Sequence, residues 1–209
     1  MDDKHIPAVS TLGRRLAAIN LNQRNNDINK VTIRPATASD ENLVFDITRL
    51  INAQSKFGSG VNFRTLSQVK DYLHAGELAI AFLRPKNKVN PQSRAPAPRE
   101  KVVGCVRVRK ISPTMGEFRA LTVDPKWRGT NLSLKLIRFA EKRCRELGIT
   151  TMRQRFLSSK NSPGPCVEQL SKLGYVMMET CDTLEACPEL KLWLSEPSNI
   201  CLMEKKLDA

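Results

Sequence analysis

The 209-residue sequence predicts a mixed α/β domain, one sheet of about seven strands packed with four helices. Three observations point there. Runs with an apolar period of two and runs with a period near 3.6 follow one another in the order β-α-α-β-β-β-α-β-α-β-β. The stretch from Gly116 to Lys142, "GEFRALTVDPKWRGTNLSLKLIRFAEK", passes straight from a strand into the longest amphipathic run of the chain, and "ITTMRQRFLS" follows it; a strand, helix, strand unit of this length is a parallel crossover. "VVGCVRVRKIS" is joined to "GEFRALTVDP" through "PTMG", a connection short enough to demand an antiparallel hairpin, so the sheet is mixed.

In chain order, residues 1–29 are polar, rich in Asn and Arg, and read as an N-terminal tail in which only "TLGRRLAAINL" has helical character. Residues 30–209 read as a single domain. "KVTIRPAT" alternates and ends at Pro35, as a first strand does, and Ser39 and Asp40 offer caps for "ENLVFDITRLINAQ", where Leu43, Ile47, Leu50 and Ile51 recur at helical spacing. "TLSQVKDYLHAG" is a shorter helix stopped by Gly76, and "ELAIAFLRP" a strand. The segment near 86–101, Pro-rich, charged and without apolar period, reads as a long mobile loop. After the hairpin, Leu132, Leu136, Phe139, Ala140, Cys144 and Leu147 form one face of a helix from Asn131 to Leu147, closed by Gly148. "ITTMRQRFLS", the helix "PCVEQLSKL" with its stop at Gly174, and the strands "YVMMETC" and "NICLMEKKL" complete the order.

Composition narrows the function classes. No apolar run approaches the roughly 20 residues that span a bilayer, and "MDDKHIPAVS" lacks the basic and apolar blocks of a signal, so the expected address is the cytoplasm, with the nucleus as the alternative. Six cysteines with no CxxC pair, and only His5 and His74 beside them, favour reduced thiols and no metal. The formal charge is +13, and between Lys101 and Lys160 there are 15 Lys and Arg against 4 Asp and Glu. A basic excess this local points to an anionic ligand more than to a uniformly solvated surface. Aromatic and basic residues are not interleaved on any strand, which argues against nucleic acid as the partner.

The excess surrounds "WRGTNLSL", the joint between strand and helix. A helix that starts directly after a strand presents unpaired N–H groups and the positive end of its dipole, the usual seat of a phosphate. Arg128 adds a fixed charge, Gly129 conformational freedom, Thr130 a hydroxyl, and Ser133 a slim first turn. A polar turn that merely caps the helix accounts for Asn131 and Ser133 equally well, but not for Arg128.

"GEFRALTVDPKWRGTNLSLKLI" resembles motif A of the Gcn5-related N-acetyltransferases (GNAT family), whose turn has the form RxxGxG/A. "VTIRPATASDENL", "QLSKLGYVMMET" and "CLMEKKL" resemble that family's first strand and helix, late helix and strand, and closing strand, so the resemblance extends over roughly 30–207. Arg128 and Gly129 match; Asn131 replaces a Gly and Ser133 a Gly or Ala, both mild changes, since Asn tolerates positive φ and Ser is small. The resemblance implies a GNAT acyl-CoA N-acyltransferase fold and acetyl-CoA or another acyl-CoA as co-substrate. It implies direct transfer of the acetyl group to a primary amine, with "QSKFGSGVNF" and "DTLEACPELKLWLSEPSN" shaping the acceptor site; their apolar and aromatic residues and few acids favour a small molecule or amino-acid derivative over a polyamine or basic peptide, in a protein expected to be a monomer or homodimer. It also implies that the backbone of Leu121, Thr122 and Val123 holds the pantetheine arm, that Arg128, Gly129, Thr130, Asn131, Leu132 and Ser133 cradle the pyrophosphate, and that Asn161 contacts the cofactor. Strand alternation is expected to put Glu117, Arg119, Leu121 and Val123 on one face, and the resemblance implies Glu117 as the general base, since some members of the family place one there. Leu170 stands where the family often has the Tyr that protonates the leaving thiolate. Tyr175, displaced from that place, is the remaining tyrosine near it, and water is the alternative acid. The same substitution supports a second reading, a CoA-binding or regulatory module impaired in catalysis.

Overall fold

The computed structural model describes residues 28–55, 63–83, 100–159, 165–186 and 198–208. Seven strands form one sheet: β1 (Val31–Pro35), β2 (Leu78–Leu83), β3 (Lys101–Lys110), β4 (Met115–Val123), β5 (Thr151–Ser159), β6 (Val176–Asp182) and β7 (Ser198–Lys206). Their spatial order is β1-β2-β3-β4-β5-β7-β6, and every neighbouring pair is antiparallel except β4 with β5. The α-helices among the described residues are α1 (Val44–Ser55), α2 (Leu66–His74), α3 (Leu132–Glu146), α4 (Pro165–Lys172) and the single turn α5 (Thr183–Ala186), which the sequence did not announce. None of these helices is long and apolar enough to cross a membrane.

Period-two alternation sends the side chains of β2 to two different cores. Leu78, Ile80 and Phe82 pack with Leu43, Ile47 and Ile51 around α1 and with Val69 and Leu73 of α2. Ala79 and Ala81 pack on the opposite face with Leu132, Leu136 and Ala140 of α3. The sheet is thus a middle layer with α1 and α2 on one side and α3 and α4 on the other. Helix α3 approaches the sheet closely because β3 and β4 present glycines beneath it. A Cβ at Gly104 would lie 3.0 Å from Leu136 Cδ1, and one at Gly116 would lie 2.9 Å from Cys144 Sγ and 3.2 Å from Ile149 Cδ1.

Several expectations shift by a turn or less. Ile28 is only 7 % exposed and joins the core, and its carbonyl accepts from Lys135 Nζ at 3.3 Å, so the packed domain begins before residue 30. Ser39 and Asp40, expected to cap α1, lie instead inside a 3-10 turn over Ala38–Leu43 whose N-cap is Thr37, and the α-helix opens at Val44. The Asp40 carboxylate accepts from the Thr37 N–H at 2.8 Å and from Arg34 through two bonds of 2.6 Å. On α3 the buried stripe runs through Ile137 and Glu141 as well as Leu132, Leu136, Ala140 and Cys144, leaving Leu147 exposed. The Pro-rich segment lies outside the described residues up to Pro98 and Arg99, but Lys101 already opens β3 opposite Leu83. Cys105, Cys144 and Cys201 are buried free thiols; burial pushes Cys105 up to about 12 and Cys144 up to about 11, so both stay uncharged at neutral pH.

Gly116→Val, which drives a branched side chain into Cys144 and Ile149, is expected to cost about 1–3 kcal/mol of stability in urea unfolding. The hydrogen bonds from Arg34 hold the Asp40 carboxyl below its ordinary range. Its contribution is therefore complete above the unfolded-state value near 4 and disappears as pH falls through the lower folded value. Asp40→Asn should lower stability by about 2 kcal/mol at pH 7, and the gap to the parent should close as unfolding is measured at pH 4 and then below.

Candidate active site

The sheet divides at its centre. β4 and β5 pair in parallel only through Met115, Gly116 and Glu117, opposite Thr151, Met152 and Arg153. Beyond Glu117, β4 continues to Val123 bonded to β3 alone, and β5 continues to Ser159 bonded to β7 alone. The two strands form a fork with Glu117 at its base. From Phe118 onward, the edge of β4 that faces β5 offers backbone N–H and C=O groups without a ladder partner.

A bulge in β4 sharpens the fork. Arg119 sits opposite Arg107 and Thr122 opposite Cys105, so Ala120 and Leu121 together face Val106. Ala120 takes φ +48°, the left-handed region that costs a non-glycine residue about 1–2 kcal/mol. Its carbonyl accepts from the Thr122 hydroxyl at 3.1 Å and from the Cys105 thiol at 3.7 Å, which hold the strained peptide in place. The bulge also corrects the expected alternation. Phe118, Leu121 and Val123 face the α3 core, whereas Ala120 faces α1 and α2. Glu117 and Arg119 therefore lie on the opposite face from Leu121 and Val123.

The joint after β4 is a compact turn. Asp124 Oδ1 accepts from the Lys126 N–H at 2.8 Å, Pro125–Trp127 make one 3-10 turn, and Trp127 is buried in the core as the anchor. Gly129 takes φ +77°, which reverses the chain into α3. Arg128, Gly129 and Asn131 are exposed and Ser133 half-buried at the helix start, where the Asn131 side chain makes no cap bond. Helical bonding begins with the Lys135 N–H to the Asn131 carbonyl at 3.0 Å, so the Ser133 and Leu134 amides belong to the unpaired set of a helix start. Two expected contributors turn inward. The Thr130 hydroxyl donates to the Trp127 carbonyl at 2.6 Å, and Leu132, 0 % exposed, spends its N–H on the Thr130 carbonyl at 2.7 Å. These two residues build the turn from within.

At the base of the fork Glu117 is 1 % exposed. Its carboxylate accepts from Arg119 Nε on one oxygen, from the second Arg119 nitrogen at 3.1 Å on the other, and from Arg109 at 3.4 Å. Tyr175 stays on the α3 face, edge-on to Phe118 with ring centroids 5.9 Å apart and 2 % exposed. Burial, then the Glu141 carboxylate, push its phenol well above the usual range, so it gives up a proton reluctantly. Leu170 is buried in the same core. Asn161 lies outside the described residues, as do 56–62 and 187–197 in the segments expected to shape an acceptor site. What sequence reasoning missed is the set of arginines around Glu117: Arg109, Arg119 and Arg153 lie beside it on β3, β4 and β5, visible from sequence only once the register is known.

A mixed sheet with α1 and α2 on one face, α3 and α4 on the other, and a turn of this form at the head of α3 is the GNAT acetyltransferase fold. Residues 71–161, which include the fork and the turn, match the sequence profile described as Acetyltransferase (GNAT) family. Among solved structures, Ard1 from Thermoplasma volcanium is 15 % identical and aligns over 86 % of this chain and 99 % of its own with a TM-score of 0.62. A GNAT family acetyltransferase from Elizabethkingia anophelis with acetyl-CoA bound is 15 % identical, over 85 % and 99 % of the two chains, with a TM-score of 0.59. Rv2747 from Mycobacterium tuberculosis, in complex with CoA, is 17 % identical over 85 % and 99 %, with a TM-score of 0.56. No curated protein sequence matches the chain.

Because Ala120 is held in the left-handed region, Ala120→Val should destabilise the protein by more than about 1 kcal/mol, a branched Cβ being worst suited to that conformation. Ala120→Gly should unfold at an equal or higher denaturant concentration than the parent.

Proposed function

We propose that the chain is an N-acetyltransferase that passes an acetyl group from acetyl-CoA directly to a primary amine of a small molecule or amino-acid derivative within a ternary complex. The observation that carries this reading is the fork: an open strand edge with a bulge at its base, leading without interruption to a helix start beside Arg128. Acetyl-CoA, when bound, would supply a thioester open to attack by an amine and, as that bond breaks, CoA thiolate as a ready leaving group.

Each part of the chain has a task in that reaction. The unpaired N–H and C=O groups on the free edge of β4 between Leu121 and Val123 would bind amide groups of a pantetheine arm as another strand would, while Thr122 keeps its ladder to Cys105 of β3. An N–H beside the bulge, aimed at the acyl oxygen, lowers the barrier by about 3 kcal/mol. Arg128, the backbone at Gly129 and the amides of Asn131 and Ser133 neutralise the pyrophosphate. Glu117, at the base of the fork, takes the proton of the incoming amine through a water. Leu170 has no proton to give, and the Tyr175 hydroxyl is buried beside Glu141, so solvent reprotonates the thiolate.

Acetyl-CoA and CoA should raise the melting temperature whereas a duplex oligonucleotide should not; stabilisation by duplex alone overturns the proposal. Arg128→Glu is expected to weaken CoA at least tenfold by calorimetry, about 1.4 kcal/mol. Glu117→Gln should lower the rate of CoA release with an accepted amine by about a hundredfold or more and leave CoA affinity unchanged. Tight CoA binding with no turnover across an amine panel would favour the binding-module reading that Leu170 raises.

A further inference from the structure

The face of the sheet turned away from α3 carries a row of charges across the fork. Arg109 stands opposite Glu117, Glu117 opposite Arg153, and Arg153 opposite Glu204, so directly paired residues alternate in sign over four strands. Arg153 is matched by Glu204, with bonds of 2.8 and 3.1 Å. Glu117 is not matched in the same way, because two guanidinium groups, Arg109 and Arg119, share its single carboxylate. Two residues beyond the base, the diverging arms place Arg119 on β4 and Arg155 on β5, both on this face. Arg155 is exposed and makes no ion pair among the described residues. Around the mouth of the fork, among the described residues, three guanidinium groups therefore stand against one carboxylate, while Arg107, further along the same face, is neutralised by Glu77 at 2.6 Å and covered by the Tyr72 ring at 3.6 Å.

This asymmetry faces the path of the acceptor. If CoA lies along β4 and reaches the head of α3, the amine has to arrive from the other face, the one that bears Arg119 and Arg155. We infer that the acceptor is an amine that also carries a carboxylate, a free amino acid, whose carboxylate is held by Arg119 and Arg155. Guanidinium groups present paired N–H donors that match the two oxygens of a carboxylate. The same positive field disfavours an ammonium ion beside it, which helps the amine lose the proton that blocks attack. Glu117 fixes Arg119 in place. A polyamine or a basic peptide would meet repulsion at the same mouth.

The inference rests on the acetyltransferase reading, and the two fail separately. CoA affinity measured by calorimetry, together with CoA release across a panel of amines that lack a carboxylate, tests the first. For the second, CoA release from acetyl-CoA is followed with a panel of free amino acids, each beside its own carboxamide, and with a hexapeptide carrying Glu at its second position. At least one amino acid should exceed its carboxamide by tenfold or more in kcat/KM, and the hexapeptide should be no better than the carboxamide. In Arg119→Gln and in Arg155→Gln, KM for that amino acid should rise tenfold or more while CoA affinity holds, and Arg119→Lys should recover part of the loss. CoA binding together with equal use of acids and carboxamides, preference for the hexapeptide, no turnover of any amino acid, or arginine variants that change acid and carboxamide alike would each overturn the inference.

Discussion

The organisation of this molecule follows from a demand placed on β4. The strand must pair along its length with β3 and yet leave β5 after Glu117, although an open strand edge in the middle of a sheet wastes hydrogen bonds and invites closure. The surrounding elements keep the gap. β7 holds β5 over all nine of its residues, from Thr151 to Ser159, so β5 gains its ladder on the far side. The bulge at Ala120 turns β4 away, and the Cys105 thiol and Thr122 hydroxyl saturate the displaced carbonyl. Gly104 and Gly116 let α3 lie close against β3 and β4, so the free strand is stiffened from one face even where it has no neighbour in the sheet.

That stiffening also sets the electrostatics. Most of the net positive charge belongs to the chain between β3 and β5, and the fold divides it between two places. One share stands at the head of α3, where Arg128 adds to the positive end of the helix dipole. The other share lies on the opposite face, where Arg109 and Arg119 converge on the buried Glu117. A single fork thus has a cationic rim at each side, and the buried carboxylate between them keeps the second rim ordered instead of leaving long side chains to wander.

Much of the architecture was legible because apolar periodicity and Gly stops are strong local signals. Seven strands, four of the helices and the parallel crossover stand where periodicity put them, with ends displaced by a few residues. The bulge was not legible. Ala120 carries no mark of a left-handed residue, as Gly would, so simple alternation assigned Leu121 and Val123 to the face of Glu117 when they point to α3. The turn residues were recognised but not their orientation: Thr130 and Leu132 look like Arg128 and Ser133 on paper, and only the packing of Trp127 decides which of them face inward. The arginine row was invisible for a different reason. Arg109, Arg119, Arg153 and Arg155 come from three strands, and their meeting depends on register between segments far apart in the chain.

The order β5-β7-β6 has a consequence for how the molecule comes into being. β7 is the last of the strands in the chain but lies between two earlier ones, and it is the main partner of β5. During synthesis β1 to β4 can pair with their neighbours as they emerge, while β5 has only three residues of β4 to hold it and β6 has no strand beside it until β7 arrives. Contacts of this long sequence separation are slow to form. The fork is therefore completed at the end of folding, and a nascent chain stalled before β7 would leave the edges of β5 and β6 unpaired beside Val176, Met177 and Met178, which the finished fold also leaves exposed, a surface on which chaperones and aggregation compete.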